Sequence, residues 1–285
     1  MPSIFLPVSS YSPISHTLAS RPLIKLGGVS LIALSLAGCA TFTKDGGMSP
    51  VGAEVSSIIG AQTVKIPSQG DAEAAMQRVK AILAKPLTVD SAVQVALLNN
   101  RGLQAEYNTL GISEAAFVEA SLPPNPAVSI GGALTDGTFN IERRVVGSIL
   151  ALLTLPSRKA IGEKEFQAAR YRAIEATFRQ AANTRKAFYQ AVAARQRVAY
   201  LEQARAAADA AADLTRKLGE TGAATKLDQA RAGAFNAETS SQLASARLEA
   251  GVTREALTRE LGVWGADSVY KIPNRLPSLP KKLQA

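Results

Sequence analysis

The chain has 285 residues, with 32 Lys and Arg against 23 Asp and Glu, and a formal net charge of +9. One cysteine, Cys39, and one histidine, His16, exclude an intrachain disulfide framework and any cysteine-cluster metal site. The basic residues are scattered among acids with few aromatics between them, so the charge reads as solvated helix faces or attraction to anionic lipid headgroups, not as a nucleic-acid surface.

Met1 to Ser20 carries no Lys, Arg, Asp or Glu. Arg21 and Lys25 then precede the apolar run Leu26 to Leu36, and the small residues Ala37 and Gly38 follow. That order forms a secretory signal, and the run is too short to span a bilayer as a helix. The tetrad Leu36-Ala37-Gly38-Cys39 resembles the bacterial lipobox. The resemblance implies that the Cys39 sulfur takes a diacylglycerol and that cleavage leaves Cys39 as the new N-terminus. Residues 1–38 then form a lipoprotein signal peptide, and Ala40 in place of Asp implies outer-membrane sorting. Cleavage removes Arg21, Lys25 and no acid, so the net charge falls by two from +9. It also removes His16. With no His and an acylated Cys, His-based triads, zinc hydrolase sites and soft-metal cages are excluded. No catalytic, cofactor-binding or metal-ligating set remains in view, and the chain reads as a non-enzyme.

Residues 39–86 read as a lipid-anchored tether followed by a short helix. Ala40 to Gly70 is rich in Gly, Ser and Thr, with Pro50 and Pro67, and predicts weak structure. A helix is expected from Asp71 to about Lys85, stopped by Pro86. Thr88, Asp90 and Ser91 then offer caps for a helix reaching Ser121. Val93, Leu97, Leu103, Leu110 and Phe117 recur along one helical stripe. Leu122-Pro-Pro-Asn-Pro126 ends it, because proline lacks a donor and the residue before it avoids helical angles.

The period then changes from helical to alternating. Val128, Ile130 and Leu134 alternate with Ser129 and Gly131, and Asp136-Gly137 is a hairpin turn signal. A second arm is expected from Phe139 to Leu155, giving a β-hairpin over 127–155. Each arm has about the ten residues of a tilted membrane strand. An ordinary soluble hairpin is the alternative, and Arg143 on the apolar parity fits a membrane only at the interface.

A long helix is expected over 158–218. Ile174, Phe178, Ala181, Phe188 and Val192 form a heptad-like seam, with no Gly or Pro between Glu163 and Leu218. Gly219-Glu-Thr-Gly222 breaks it. Thr225 and Asp228 suit a capping box for a return helix over 225–261, which Gly262 ends. The tail, 263–285, carries Trp264, Pro273, Pro277 and Pro280 and reads as extended. The long helix spans about 90 Å, the return helix about 55 Å and the helix before the hairpin about 50 Å. Placed end to end, the two shorter helices cover the long one. The fold class is therefore mainly α: a long antiparallel, coiled-coil-like helical hairpin with one membrane-type β-hairpin.

This order resembles the TolC family of outer-membrane efflux proteins. The stretches "LTVDSAVQVALLNNRGLQAEYNTLGISEAAFVEASLPPNP" and "LTRELGVWGADSVYKIPNRLPSLP" carry the match, which covers roughly residues 87–280. Thr109 to Ala115, "TLGISEA", and "LPSR" look closest to lipidated members found with heavy-metal or drug exporters. The resemblance implies a trimeric, passive conduit in the outer membrane with a periplasmic helical tunnel. The tunnel tip meets a membrane-fusion adaptor fed by an inner-membrane pump. By resemblance, Gly219, Thr221, Gly222, Thr225, Leu227 and Asp228 lie at that tip. The same residues would in any case be needed to turn the chain and cap the next helix.

Family members carry two tandem repeats and this chain shows one, a half-protomer. Three copies would leave half of a shared barrel wall missing, so either about six chains assemble, or a partner supplies the other half, or no conducting barrel forms, the last being the expectation for this chain alone. The leading expectation is a channel component of a tripartite exporter. The alternative is a lipid-anchored periplasmic coiled-coil scaffold that does not conduct.

Overall fold

The computed structural model describes residues 41–278 apart from 126, 136, 137 and 147. The signal peptide and Cys39 therefore lie outside the described residues.

The expected tether contains a helix. Helix α1 spans Met48–Ile59, between Gly47 and Gly60, both in left-handed conformation. Pro50 sits in its first turn, where a missing N–H breaks no intrahelical bond. Met48, Val51 and Val55 share one stripe and are buried against Leu103, Tyr107, Leu110 and Phe166. Burying each valine stabilises the fold by roughly 1.5–3 kcal/mol. Composition misled here: Gly46, Gly47 and Gly60 flank the helix, its Ser residues face solvent, and the few apolar residues fall at helical spacing. Helix α2, Gln69–Leu83, begins two residues earlier than expected, because Ser68 accepts the Asp71 N–H and caps it.

The single helix expected before the hairpin is two. Helix α3 spans Val89–Asn99 and α4 spans Arg101–Ser121, joined at Asn100 in an extended conformation. The Asn100 amide compensates for the break. Its Oδ1 accepts the Leu103 N–H at 3.1 Å, and its Nδ2 donates to the Glu260 carbonyl at 3.2 Å. Asn99 Nδ2 donates to the Gly262 carbonyl at 2.6 Å.

Strands β1, Ala127–Thr135, and β2, Thr138–Val146, pair antiparallel from Ala127 opposite Val146 to Thr135 opposite Thr138. The second arm stops nine residues short of the expected Leu155. Ser148 accepts the Ala151 N–H and starts a short helix, α5, Ile149–Leu153. Helix α6 follows from Leu155 to Glu220, earlier than the expected start at 158, with Pro156 in its first turn. Its 66 residues span about 99 Å.

Helix α7, Lys226–Leu261, returns along the distal part of α6. Gln180 Nε2 donates to the Glu260 carbonyl at 3.0 Å, Arg197 pairs with Glu249 at 3.0 Å, and Arg247 pairs with Glu202 at 2.8 Å. Both ion pairs are largely exposed and are worth little individually. Helix α4 packs along the proximal part, where Phe117 stacks on Phe166 and the buried Tyr107 hydroxyl meets Thr177 at 2.9 Å. The end-to-end covering of α6 thus holds for α4 and α7. Helix α3 is additional: it lies beside the junction and buries Val95, Ala96 and Leu98 with Phe188, Val192, Leu257 and Leu261. On the expected α6 seam, Ala181, Phe188 and Val192 are buried, while Ile174 and Phe178 are half-buried.

The tail is not free. A short 3-10 turn, Gly265–Ser268, precedes an extended stretch whose Tyr270 and Ile272 are buried. Leu87 donates its N–H to the Lys271 carbonyl at 2.8 Å, and Arg195 donates to the Ile272 carbonyl at 3.0 Å. The apolar residues ahead of the tail's first proline, Pro273, decide this.

Candidate functional site

At the α6–α7 turn, the last carbonyls of α6 need donors. The Leu218 carbonyl accepts from Ala223 at 2.8 Å, from Ala224 at 3.2 Å and from the Thr221 hydroxyl at 2.9 Å. Gly222 N–H donates to the Gly219 carbonyl. This closure requires φ of +78° at Gly222, a left-handed conformation that side chains disfavour. Gly219 lies under the Gln229 amide, so the two helices approach closely there.

Thr225 and Asp228 complete the turn. The Asp228 N–H donates to Thr225 Oγ1 at 3.1 Å, and Thr225 N–H donates to Asp228 Oδ2 at 3.1 Å. The Thr225 hydroxyl also donates to Asp228 Oδ2 at 2.6 Å. These bonds hold the Asp228 carboxyl below its ordinary value. So Gly219, Thr221, Gly222, Thr225 and Asp228 all build the turn and its caps. Leu227 makes none of these bonds and is exposed. Leu214 and Leu218 are exposed nearby, and sequence reasoning passed over them. Their signal was legible as two leucines one helical turn apart beside the break. The adjacent charges are mixed, with Arg216 held between Asp213 at 3.5 Å and Glu220 at 3.0 Å.

The opposite end of α6 meets the hairpin. Arg158 Nη2 donates to the Leu122 carbonyl at 3.2 Å, tying the end of α4 to the start of α6. Further along α4, Glu114 is only 2% exposed, and its Oε1 accepts the Thr43 N–H at 2.9 Å. That bond fixes the chain four residues after Cys39. Burial pushes the Tyr107 hydroxyl up to about 12, so it stays neutral and serves as a core pin. Among the described residues no group of three or more His, Cys, Asp or Glu could hold a metal ion. No helix among them is long and apolar enough to cross a membrane.

No protein-family model matches the chain, and no curated protein matches it in sequence. Solved structures match its fold. The outer membrane channel CmeC of Campylobacter jejuni superposes with a TM-score of 0.57 at 19% identity, over 68% of this chain and 45% of that one. The fold is TolC-like. A membrane protein of Pseudomonas aeruginosa gives a TM-score of 0.56 at 20% identity, over 69% of this chain and 49% of that one. The chain thus spans about half the length of these two structures, as a TolC-like half-repeat. In that half-repeat the α6–α7 turn and the β-hairpin lie at opposite ends of the longest helix.

Proposed function

We propose that the chain is a component of an outer-membrane channel in a tripartite efflux system. It is a passive conduit part and not an enzyme. The likeness of its fold to CmeC carries the reading, together with a two-stranded hairpin placed between α4 and the long α6. In this reading β1 and β2 supply two strands of a barrel shared among copies, a trimer by family analogy. Acylated Cys39 anchors the mature chain in the same membrane. The α6–α7 turn, through Gly219, Thr221, Gly222, Thr225, Leu227 and Asp228, meets a periplasmic adaptor, and an inner-membrane pump supplies the energy.

One observation favours the non-conducting scaffold. Among the described residues β1 and β2 pair only with each other, which leaves two open edges. Unpaired backbone groups in hydrocarbon cost several kcal/mol each, so other copies or a partner must complete the wall. The test is to extract the assembly from native membranes in mild detergent and record it in planar bilayers. Heat-resistant, strand-containing oligomers with reproducible single-channel steps are expected, and their Cys39 should be N-terminal and acylated by mass spectrometry. A membrane-attached, adaptor-bound species with no steps and no added strand signal establishes the scaffold instead.

A further inference from the structure

We infer that α5 and the turn after it form an interfacial collar that rests on an anionic lipid surface at the foot of the hairpin. From the channel reading this takes only that the hairpin end of the chain faces a membrane. Helix α5 reads Ile149-Leu-Ala-Leu-Leu153, without a polar side chain. Ile149 is 74% exposed, Leu150 71%, Leu152 52% and Leu153 74%. Single exposed apolar residues need no explanation, but four in five consecutive positions form a patch that marks an interaction site. Leu122 and Ile161 extend it, both exposed, and the Arg158 bond to the Leu122 carbonyl keeps the two helix ends together.

Charge selects the occupant. Between Glu142 and Glu163 there is no acidic residue, and the charged residues are Arg143, Arg144, Arg158 and Lys159. A basic pair therefore stands on each side of the apolar run. Arg158 and Lys159 are exposed, and neither makes an ion pair among the described residues. An apolar segment bracketed by cations suits phosphate-bearing headgroups over acyl chains. A second copy of this chain would bring the same cations against each other. Helix α5 is far too short to span a bilayer. Two residues separate it from the last residue of β2, so it reaches lipid only at the headgroup boundary.

The test places an environment-sensitive fluorophore at Leu150→Cys in the full chain carrying Cys39→Ser, which leaves one labelled thiol. Ile112→Cys on the exposed surface of α4 is the water-facing reference, and Ile141→Cys reports the hairpin separately. The protein is mixed with phosphatidylcholine vesicles, with and without phosphatidylglycerol, carrying quenchers at the headgroup or deep in the acyl region. The label at 150 should be quenched most from the headgroup position, and more strongly when phosphatidylglycerol is present. Adding Lys159→Glu should weaken that association by at least about fivefold, since it removes one surface cation and adds a carboxylate that the anionic headgroups repel. A shallow signal at 150 with no deep signal at 141 keeps the collar and ends the membrane reading of the hairpin. A label at 150 that stays in water while 141 is deep overturns the collar. So does quenching dominated by the deep probe, a signal independent of phosphatidylglycerol, or a label already shielded without lipid by a second copy. Circular dichroism of each variant must match the parent, and Lys159→Glu, on an exposed surface, keeps the test valid if a labelled variant misfolds.

Discussion

Thr225 and Asp228 show how a three-residue spacing becomes a working turn. Two reciprocal backbone bonds and one hydroxyl bond converge on the pair. Asp228 is held below the ordinary carboxylate value of 3.8 by Thr225. Its folded-state pKa is therefore lower than its unfolded one. The stabilisation is present above the unfolded value and is lost as pH falls through the lowered folded value. Thr225→Ala should speed amide exchange in residues 224–228 roughly fivefold at neutral pH, the usual loss for an N-cap. Acidification through the lowered folded value should reduce the parent's protection, relative to the intrinsic exchange rate at that pH, in the same way and the variant's little further. Equal exchange in parent and variant at neutral pH would refute the cap. This pair was legible because both partners lie within one turn of helix. The Glu114 hold on Thr43 was not, because it joins residues 71 apart in sequence.

At the scale of elements, the break at Asn100 and the end at Gly262 are one feature. Helix α7 ends against the α3–α4 bend, and the amides of Asn99 and Asn100 cap its carbonyls. Gly262 closes the contact at φ of +67°, and a Cβ there would lie 2.9 Å from the Asn99 carbonyl oxygen. Gly262→Ala combines a left-handed backbone with a clash against main chain that cannot swing aside. It should lower stability by about 2 kcal/mol, read as a lower urea midpoint with an unchanged slope. Gly251→Ala is the opposite case. It sits in the middle of α7 with open space around its missing Cβ. There alanine should stabilise by about 0.5–1 kcal/mol. If both substitutions move the midpoint the same way, the abutment is not what holds α7. The Gly262 stop was readable from sequence. The Asn100 break was not, because asparagine is tolerated inside helices and the apolar stripe runs through it.

The whole molecule sets two ends of different chemistry on one helix of 66 residues. The hairpin end carries exposed leucines and the exposed cations Arg158 and Lys159, which form no ion pair among the described residues. The other end carries a small-residue turn with mixed charges and a few exposed leucines. If that second end docks to an adaptor, its backbone shape matters more than any one side chain. Gly222→Val should then weaken crosslinking to a co-encoded periplasmic adaptor while leaving helix content nearly unchanged, since the strain at φ of +78° falls on the turn and no atom lies within 4 Å of the added Cβ. Undiminished crosslinking to every such adaptor would reduce the turn to a connector.

The sequence by itself determined the long helices, the α6–α7 turn with its caps, the alternating stretch before α6 and the poverty of catalytic groups. Each of these is written in contacts of short sequence separation: a 3.6-residue period, a capping pair, a left-handed glycine. The tertiary structure decided three things that composition concealed. Residues 48–59 became a buried helix, because Val51 and Val55 found Tyr107 and Leu110. Helix α3 parted from α4, because Asn100 gained the α7 carbonyls as partners. The tail folded back, because Tyr270 and Ile272 met Leu87 and Phe188 in one core. In each case the deciding partner lies dozens of residues away or more, and only the folded chain brings it within reach.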